Sequence, residues 1–130
     1  MIYLFLAQGF EEIEALTPVD ILRRAGIEIR TVSIYDTLEV EGRSKIRVVA
    51  DCSIGEIDVE KMEMAILPGG MPGTANLESN EKIQQIIGQA LKQDKWVAAI
   101  CAAPTILGKQ GYLSGREAVC YPGCEEDLKG

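Results

Sequence analysis

Short apolar runs alternate with amphipathic stretches from the start of the chain. Residues 2–6 (IYLFL) form a continuous apolar run, which is typical of a strand buried on both faces of a parallel sheet. The segment from Glu11 to Ala25 has apolar residues at helical spacing and closes in basic residues and Gly26, which predicts a helix. Pro18 lies inside this pattern and predicts either a kink or a later helix start.

The same alternation continues to the other end of the chain. We predict strands at 29–34, at 46–50 after a hairpin around Gly42, within 62–70 ahead of a Pro-Gly-Gly turn, at 96–100 and at 117–121. We predict helices from a cap at Asn80 or Ser79 to about Lys92, and over 102–113 with a close near Gly111. Alternating strands and helices favour a single α/β domain over residues 1–130, with a doubly wound, mostly parallel sheet and helices on both faces.

Composition and charge narrow the function classes. The 130 residues are 47% hydrophobic and carry a net charge of −7, with no strongly basic run, so nucleic acid is an unexpected partner. The start of the chain lacks a basic signal-peptide region, and no apolar run approaches membrane-spanning length. These features predict a soluble cytoplasmic protein without a membrane partner.

The chain contains no histidine and four cysteines. Without imidazole it cannot supply its own Ser-His-Asp triad, Cys-His dyad or histidine-rich zinc site, and we expect neither a metal nor a cofactor. Cys52, Cys101, Cys120 and Cys124 are expected to be reduced, because four cysteines are too few for a disulfide scaffold of this size. The spacing of Cys120 and Cys124 is a weak signal for a resolving thiol or a disulfide.

Cys101 lies between a predicted strand and a predicted helix, in WVAAICAAPTIL. One interpretation is a nucleophile elbow, in which the helix N-terminus and its free N–H groups favour the thiolate. The other is a buried structural cysteine, since free cysteine is among the most buried residue types. The strand-turn-helix context alone leaves both open.

Two further features fall at carboxyl ends of strands, where ligands bind in such sheets. The turn at Gly69 and Gly70 brings backbone N–H groups close to a ligand, or is an ordinary tight turn. Glu11 and Glu12 are explained by the favourable charge at a helix start, whereas Glu14 is placed to point inward. A carboxyl group beside Cys101 would share a proton with it and permit acid-base chemistry without histidine.

Four stretches, in order, resemble the ThiJ/PfpI superfamily, in particular the branch typified by the parkinsonism-associated protein: LAQGFEEIEALTPVDILRRAGIEI, MAILPGGMPGTANL, WVAAICAAPTIL and CYPGCEEDLKG. The resemblance implies a flavodoxin-like fold, usually homodimeric, with Cys101 as the elbow cysteine. It further implies that Glu14 hydrogen-bonds Cys101 and lowers its pKa. The N–H groups of Gly69, Gly70 and Ala102 correspond to those that line the oxyanion pocket.

The chain departs from related sequences at three places. Ala102 follows the cysteine where the protease-like branch has histidine, which argues against peptidase activity. Tyr121 precedes Pro122 where some relatives have histidine, and is a possible auxiliary hydrogen-bonding residue. Similar proteins continue beyond EEDLKG, so we expect the usual C-terminal segment to be supplied by a companion segment.

The resemblance implies three functions. The first is a cofactor-independent enzyme acting on small dicarbonyls in a glyoxalase or deglycase-like reaction, with a hemithioacetal on Cys101 and Glu14 as proton shuttle. The second is a sensor of oxidative stress or a stress chaperone that works through oxidation of Cys101. The third, a role in thiazole biosynthesis, follows from the family label only and ranks last, because no P-loop phosphate motif is present.

Overall fold

Strands and helices alternate along residues 1–129, the part of the chain that the computed structural model describes. The elements are β1 (Ile2–Leu6), α1 (Glu12–Arg24), β2 (Ile29–Ser33), β3 (Glu39–Glu41), β4 (Arg47–Val49), β5 (Cys52–Ser53), β6 (Met64–Leu67), α2 (Gly73–Glu78), α3 (Glu81–Lys92), β7 (Trp96–Ala99) and α4 (Pro104–Lys109). Short 3₁₀ turns occupy Ile54–Glu56, Val59–Lys61 and Glu125–Leu128.

Five strands form one parallel sheet in the order β5-β2-β1-β6-β7. The order β2-β1-β6-β7 is that of a flavodoxin-like fold, and β5 extends it beyond β2. Strands β3 and β4 pair separately as an antiparallel hairpin around the predicted Gly42 turn. The prediction of a doubly wound α/β fold with a parallel sheet is therefore confirmed.

Alternate side chains of β1 point to opposite faces of the sheet, and helices cover both faces. Leu4 and Leu6 pack with α1 through Ala15 and Val19, and Phe5 packs on the opposite face with α2, α3 and α4. All of these side chains are buried, and complete burial of a leucine or phenylalanine contributes about 1.5–3 kcal/mol. This double coverage explains why the first strand is apolar throughout.

The helix starts depend on side-chain caps. Helix α1 begins at Glu12 and contains Pro18, so the later start that the proline suggested is wrong; the Glu11 carboxylate caps the helix by accepting a hydrogen bond from Glu14 N at 2.9 Å. Asn80 caps α3 through Ile83 N at 3.0 Å, as predicted.

Within residues 1–129, no helix combines the length and apolarity that crossing a membrane requires.

Two predictions for the second half of the chain need correction, and one helix was not predicted. The strand predicted at 117–121 is absent from the described structure; Tyr121 N donates one hydrogen bond to the Cys101 carbonyl, but the segment is largely exposed and has no sheet ladder. Helix α4 starts at Pro104, two residues later than predicted, but it closes at Gly111 as predicted: Gly111 has a φ of +79°, and Tyr112 N donates a hydrogen bond of 3.1 Å to the Leu107 carbonyl. The short helix α2 was not predicted, since its glycine-led sequence carries little helical periodicity.

We predict that Ile87→Ala in α3 lowers the free energy of unfolding by roughly 2–5 kcal/mol, because the side chain is 1% exposed and its loss leaves a cavity. The matched change Ile21→Ala in α1, where the side chain is 58% exposed, is expected to cost under about 1 kcal/mol. Urea unfolding followed by circular dichroism measures both. Equal losses would contradict the assignment of these two helix faces.

Candidate active site

Three neighbouring strands bring the predicted site residues together at their carboxyl ends. Glu14 lies in the first turn of α1 after β1, Gly69 and Gly70 follow β6, and Cys101 follows β7. Since β1, β6 and β7 are adjacent and parallel, the three chain reversals meet at one edge of the sheet. The predicted convergence of these segments is therefore confirmed.

The turn at Cys101 has the backbone conformation of an elbow. Cys101 is half-buried and has a φ of +62°, in the left-handed region. Its carbonyl accepts a hydrogen bond of 2.7 Å from Tyr121 N, and Ile100 N extends the β6 pairing through a 3.3 Å bond to the Leu67 carbonyl. Helix α4 begins only at Pro104 and has six residues, so the expectation of a thiol at a helix N-terminus is wrong.

Gly69 separates the thiol residue from the carboxylate. Its N–H donates a hydrogen bond of 3.0 Å to Glu14 Oε1. A Cβ atom on Gly69 would lie 2.7 Å from both Cys101 Cβ and Glu14 Oε1, so only glycine fits here. The Gly69 N–H, which the resemblance assigned to the oxyanion pocket, is thus occupied by Glu14.

Gly70 and Ala102 line the cleft together with Cys101. The backbone N–H groups of both residues favour the ionised form of the thiol and so act to lower its pKa. Gly70 has a φ of +91°, and a Cβ atom there would lie 2.6 Å from Glu11 N, so this turn also requires glycine. The pair forms a small anion-binding corner beside the thiol.

The pKa of Cys101 is raised from the ordinary value of a thiol. Burial is the largest cause, followed by the negative charge of Glu14; the N–H groups of Ala102 and Gly70 act in the opposite direction, and a hydrogen bond to Glu14 adds to the rise. The resemblance implied a lower pKa, and the structure gives the opposite direction, because burial and then the negative charge of Glu14 disfavour the thiolate.

The three glutamates at the start of α1 occupy different environments. Glu11 caps the helix, and Glu14 points inward as predicted. Glu12 was explained only by helix charge, but it is 5% exposed and its Oε2 accepts hydrogen bonds from Ser44 N at 2.9 Å and Ile46 N at 3.3 Å. Glu12 therefore fastens the loop between β3 and β4 to α1.

A cleft of about 370 Å³ opens beside the thiol. Its lining residues are Arg43, Gly70, Met71, Cys101, Ala102, Tyr121 and Cys124. The Tyr121 side chain is 59% exposed at the cleft, consistent with an auxiliary position. Arg43, Met71 and Cys124 were not predicted to line it, since no local pattern marks residues that only the tertiary fold brings to a strand end.

Four cysteines are free, and Cys52 is buried in β5. Within residues 1–129, no group of three Cys, Asp or Glu side chains lies close enough to hold a metal ion.

A larger cleft of about 530 Å³ lies near the amino end of β2, lined partly by Arg23 and Asp51. These two side chains pair with each other at 2.6 Å, and Asp51 also accepts hydrogen bonds from Thr31.

Comparison with known proteins agrees with this geometry. The sequence profile described as the DJ-1/PfpI family matches residues 1–130. Protein dj-1beta of Drosophila melanogaster is 31% identical over 95% of this chain and 66% of its own length. A protein of Thermococcus kodakarensis named deglycase TK1284 is 31% identical over 95% of this chain and 73% of its own length.

A solved structure of Toxoplasma gondii DJ-1, described as oxidised, superimposes with a TM-score of 0.92 at 35% identity, over 97% of this chain and 69% of that one. The chain spans 66% of the Drosophila protein, 73% of the Thermococcus protein and 69% of the Toxoplasma chain, and only 28% of a further relative, protein DJ-1 homolog B of Arabidopsis thaliana.

We predict that Glu14→Gln lowers the pKa of Cys101, because it removes the neighbouring negative charge and keeps the size of the side chain. A lower pKa leaves more thiolate near neutral pH, so iodoacetamide is expected to label Cys101 about 3- to 10-fold faster at about pH 7.5. Mass spectrometry of the tryptic peptide 96–109, which contains Cys101 alone among the cysteines, reports the rate.

The matched control is Glu11→Gln, which alters a carboxylate in the same helical turn that does not shift the thiol pKa. Its labelling rate should equal that of the wild type. Slower labelling of Glu14→Gln would mean that Glu14 instead donates a proton to the thiolate.

Proposed function

Because the chain belongs to the DJ-1/PfpI family, we propose that it is a cofactor-independent, cysteine-dependent enzyme acting on small reactive dicarbonyls. The observation that carries this proposal is the contact of one thiol with one carboxylate and two backbone N–H groups at the open end of the sheet. A nucleophile, a base and an anion-binding corner are the parts that addition to a carbonyl group needs.

The first step is addition of the Cys101 sulfur to the aldehyde carbon of a compound such as methylglyoxal. As the carbon–sulfur bond forms, the carboxylate of Glu14 takes the thiol proton, and the carbonyl electron pair moves onto oxygen; Glu14 then gives this proton to that oxygen and is ionised again. The raised pKa of Cys101 suits this order of events, because the proton leaves only as the sulfur attacks. The product is a hemithioacetal.

The second step moves a proton between neighbouring carbons. Glu14 removes the proton from the carbon bonded to sulfur and returns it to the adjacent carbon, while the N–H groups of Gly70 and Ala102 stabilise the negative oxygen of the enediolate. The hydroxyl proton on the carbon bonded to sulfur passes to the oxygen of the adjacent carbon, which leaves a thioester on Cys101. Water hydrolyses this thioester to the hydroxy acid and the free thiol. Methylglyoxal plus water gives lactate, with no net oxidation.

The site residues enter this proposal in two groups. Cys101 and Glu14 are the catalytic residues, and Gly70 and Ala102 supply the oxyanion contacts. Gly69 holds the Glu14 carboxylate through its N–H rather than binding substrate, and Tyr121 lines the entrance as an auxiliary residue. The name of the deglycase from Thermococcus kodakarensis supports chemistry on carbonyl-derived adducts in this family.

A redox function is the second candidate. The N–H groups of Gly70 and Ala102 lie beside the thiol, where they would also donate hydrogen bonds to the oxygens of an oxidised cysteine, and the Toxoplasma gondii relative was solved in an oxidised form. Only the enzyme requires steady consumption of a dicarbonyl. Only the sensor or stress chaperone requires a change of function when Cys101 is oxidised.

Two uncovered apolar surfaces support the expected assembly. On the edge strand β7, Trp96 is 73% exposed and the following Ile100 is 50% exposed, which supports a companion segment that covers this side of the sheet. On the other side, Ile13 and Ile46 line a groove of about 360 Å³ between α1 and the β3–β4 hairpin, and their exposure supports a homodimer contact there.

We predict that the protein converts methylglyoxal to lactate, and that Cys101→Ser and Glu14→Gln each lower kcat/KM at least about 100-fold, because one lacks the nucleophile and the other the base. Cys120→Ser is the matched control, since Cys120 lies outside the lining of the cleft, and should retain wild-type turnover. A coupled assay that detects lactate measures the rate of methylglyoxal conversion for each protein. Full turnover by Cys101→Ser would overturn the mechanism.

We predict that native mass spectrometry of the untagged protein from its source cells shows two copies of the chain together with additional polypeptide. The chain of residues 1–130 has a mass of 14.2 kDa, so a total above twice that value is expected. A mass of twice 14.2 kDa would support the dimer and exclude the companion segment. A mass corresponding to a single copy would exclude the dimer.

A further inference from the structure

Arg43 is the one charged side chain among the residues that line the cleft beside Cys101. It is exposed, and within the described residues no carboxylate lies within 4.0 Å of its guanidinium group. Arg23, Arg24 and Arg47, by contrast, each pair with an acidic side chain. The Arg43 guanidinium is therefore available to a ligand in the cleft.

Hydrogen bonds to its backbone hold the loop that carries Arg43 in place. Arg43 N donates a hydrogen bond of 2.8 Å to the Phe10 carbonyl, which follows β1. The buried carboxylate of Glu12 accepts hydrogen bonds from the next part of the loop, at Ser44 N and Ile46 N. Gly42 lies directly on this carboxylate, since a Cβ atom there would meet Glu12 Cδ at 2.4 Å. Glu12 therefore positions the backbone of Arg43 at the cleft.

The surroundings of the thiol are negatively charged, so the positive charge of Arg43 affects whether an anionic compound binds there. The chain carries a net charge of −7, and Glu14 lies beside Cys101, so an anionic compound is repelled by the surroundings. A guanidinium group offsets that repulsion locally and binds a carboxylate with two parallel hydrogen bonds. A neutral carbonyl compound has no charge with which this guanidinium group could pair.

We propose that Arg43 is a specificity-determining residue that makes this site select small carbonyl compounds carrying a carboxylate over neutral ones. The substrate class in this inference rests on the proposed function. The experiment that tests the inference does not, because it requires no turnover. Carboxylate selection by Arg43 applies to any reagent that approaches the Cys101 sulfur through the cleft, whether or not turnover follows.

The decisive experiment compares two alkylating reagents of nearly the same shape, iodoacetate and iodoacetamide, which differ in charge. The rate of labelling of Cys101 is followed in the tryptic peptide 96–109 for the wild type, Arg43→Gln and Arg43→Lys. Arg43→Gln is expected to lower the ratio of the iodoacetate rate to the iodoacetamide rate about 3- to 5-fold, as for one partly screened charge pair at a surface. Arg43→Lys should keep the ratio within about 2-fold of the wild type, because the charge remains.

The iodoacetamide rate alone is the internal control. Arg43 is not among the groups that shift the pKa of Cys101, so this rate should be equal in all three proteins. An unchanged ratio in Arg43→Gln would overturn the inference. Equal loss of both rates would also overturn it, because Arg43 would then act on the thiol or the fold rather than on the charge of the reagent.

A turnover assay separates this inference from the proposed function. With 4,5-dioxopentanoate, an aldehyde that carries a carboxylate, Arg43→Gln is expected to raise KM about 3- to 5-fold with little change in kcat, whereas KM for methylglyoxal stays the same. If no dicarbonyl is consumed but the alkylation ratio falls, the enzyme proposal fails and carboxylate selection stands. If turnover occurs and neither KM nor the ratio responds to Arg43, carboxylate selection fails alone.

Discussion

The hydrogen bond from the Gly69 N–H to the Glu14 carboxylate is the contact on which the site depends. It joins the start of α1 to the end of β6, and it fixes the carboxylate at the distance where a Gly69 side chain would touch both Glu14 and Cys101. The backbone bond from Glu11 N to the Gly69 carbonyl, at 3.0 Å, closes the same junction from the other side. Thiol and carboxylate therefore meet because two chain reversals are fastened to each other, with a glycine between them.

Much of this arrangement follows from local sequence. Alternating apolar runs and amphipathic helices predict a parallel sheet, and a parallel sheet brings the ends of its strands to one edge. Cys101 and the Pro-Gly-Gly turn stand directly after apolar runs, so their convergence needs no knowledge of distant contacts. Glu14 was distinguishable from Glu11 and Glu12 by the apolar residues beside it, and its inward position agrees with that pattern.

The features that sequence reasoning missed depend on contacts between distant segments. Glu12 and Ser44 are 32 positions apart, and nothing near either residue signals that the hairpin folds onto α1 and carries Arg43 to the thiol. The segment 117–121 is a short, mostly apolar run like that of a strand, yet a strand also needs a partner, and Tyr121 supplies a single backbone bond to the end of the sheet. The direction of the Cys101 pKa likewise depends on burial, which residue types alone do not give.

The left-handed backbone at Cys101 carries a conformational cost. A residue with a Cβ atom holds such a conformation at a cost of about 1–3 kcal/mol, whereas glycine adopts it freely. Glycine at this position would give a more stable chain without a sulfur. Folding stability alone therefore does not explain a cysteine in this turn, whereas the proposed role of its thiol does.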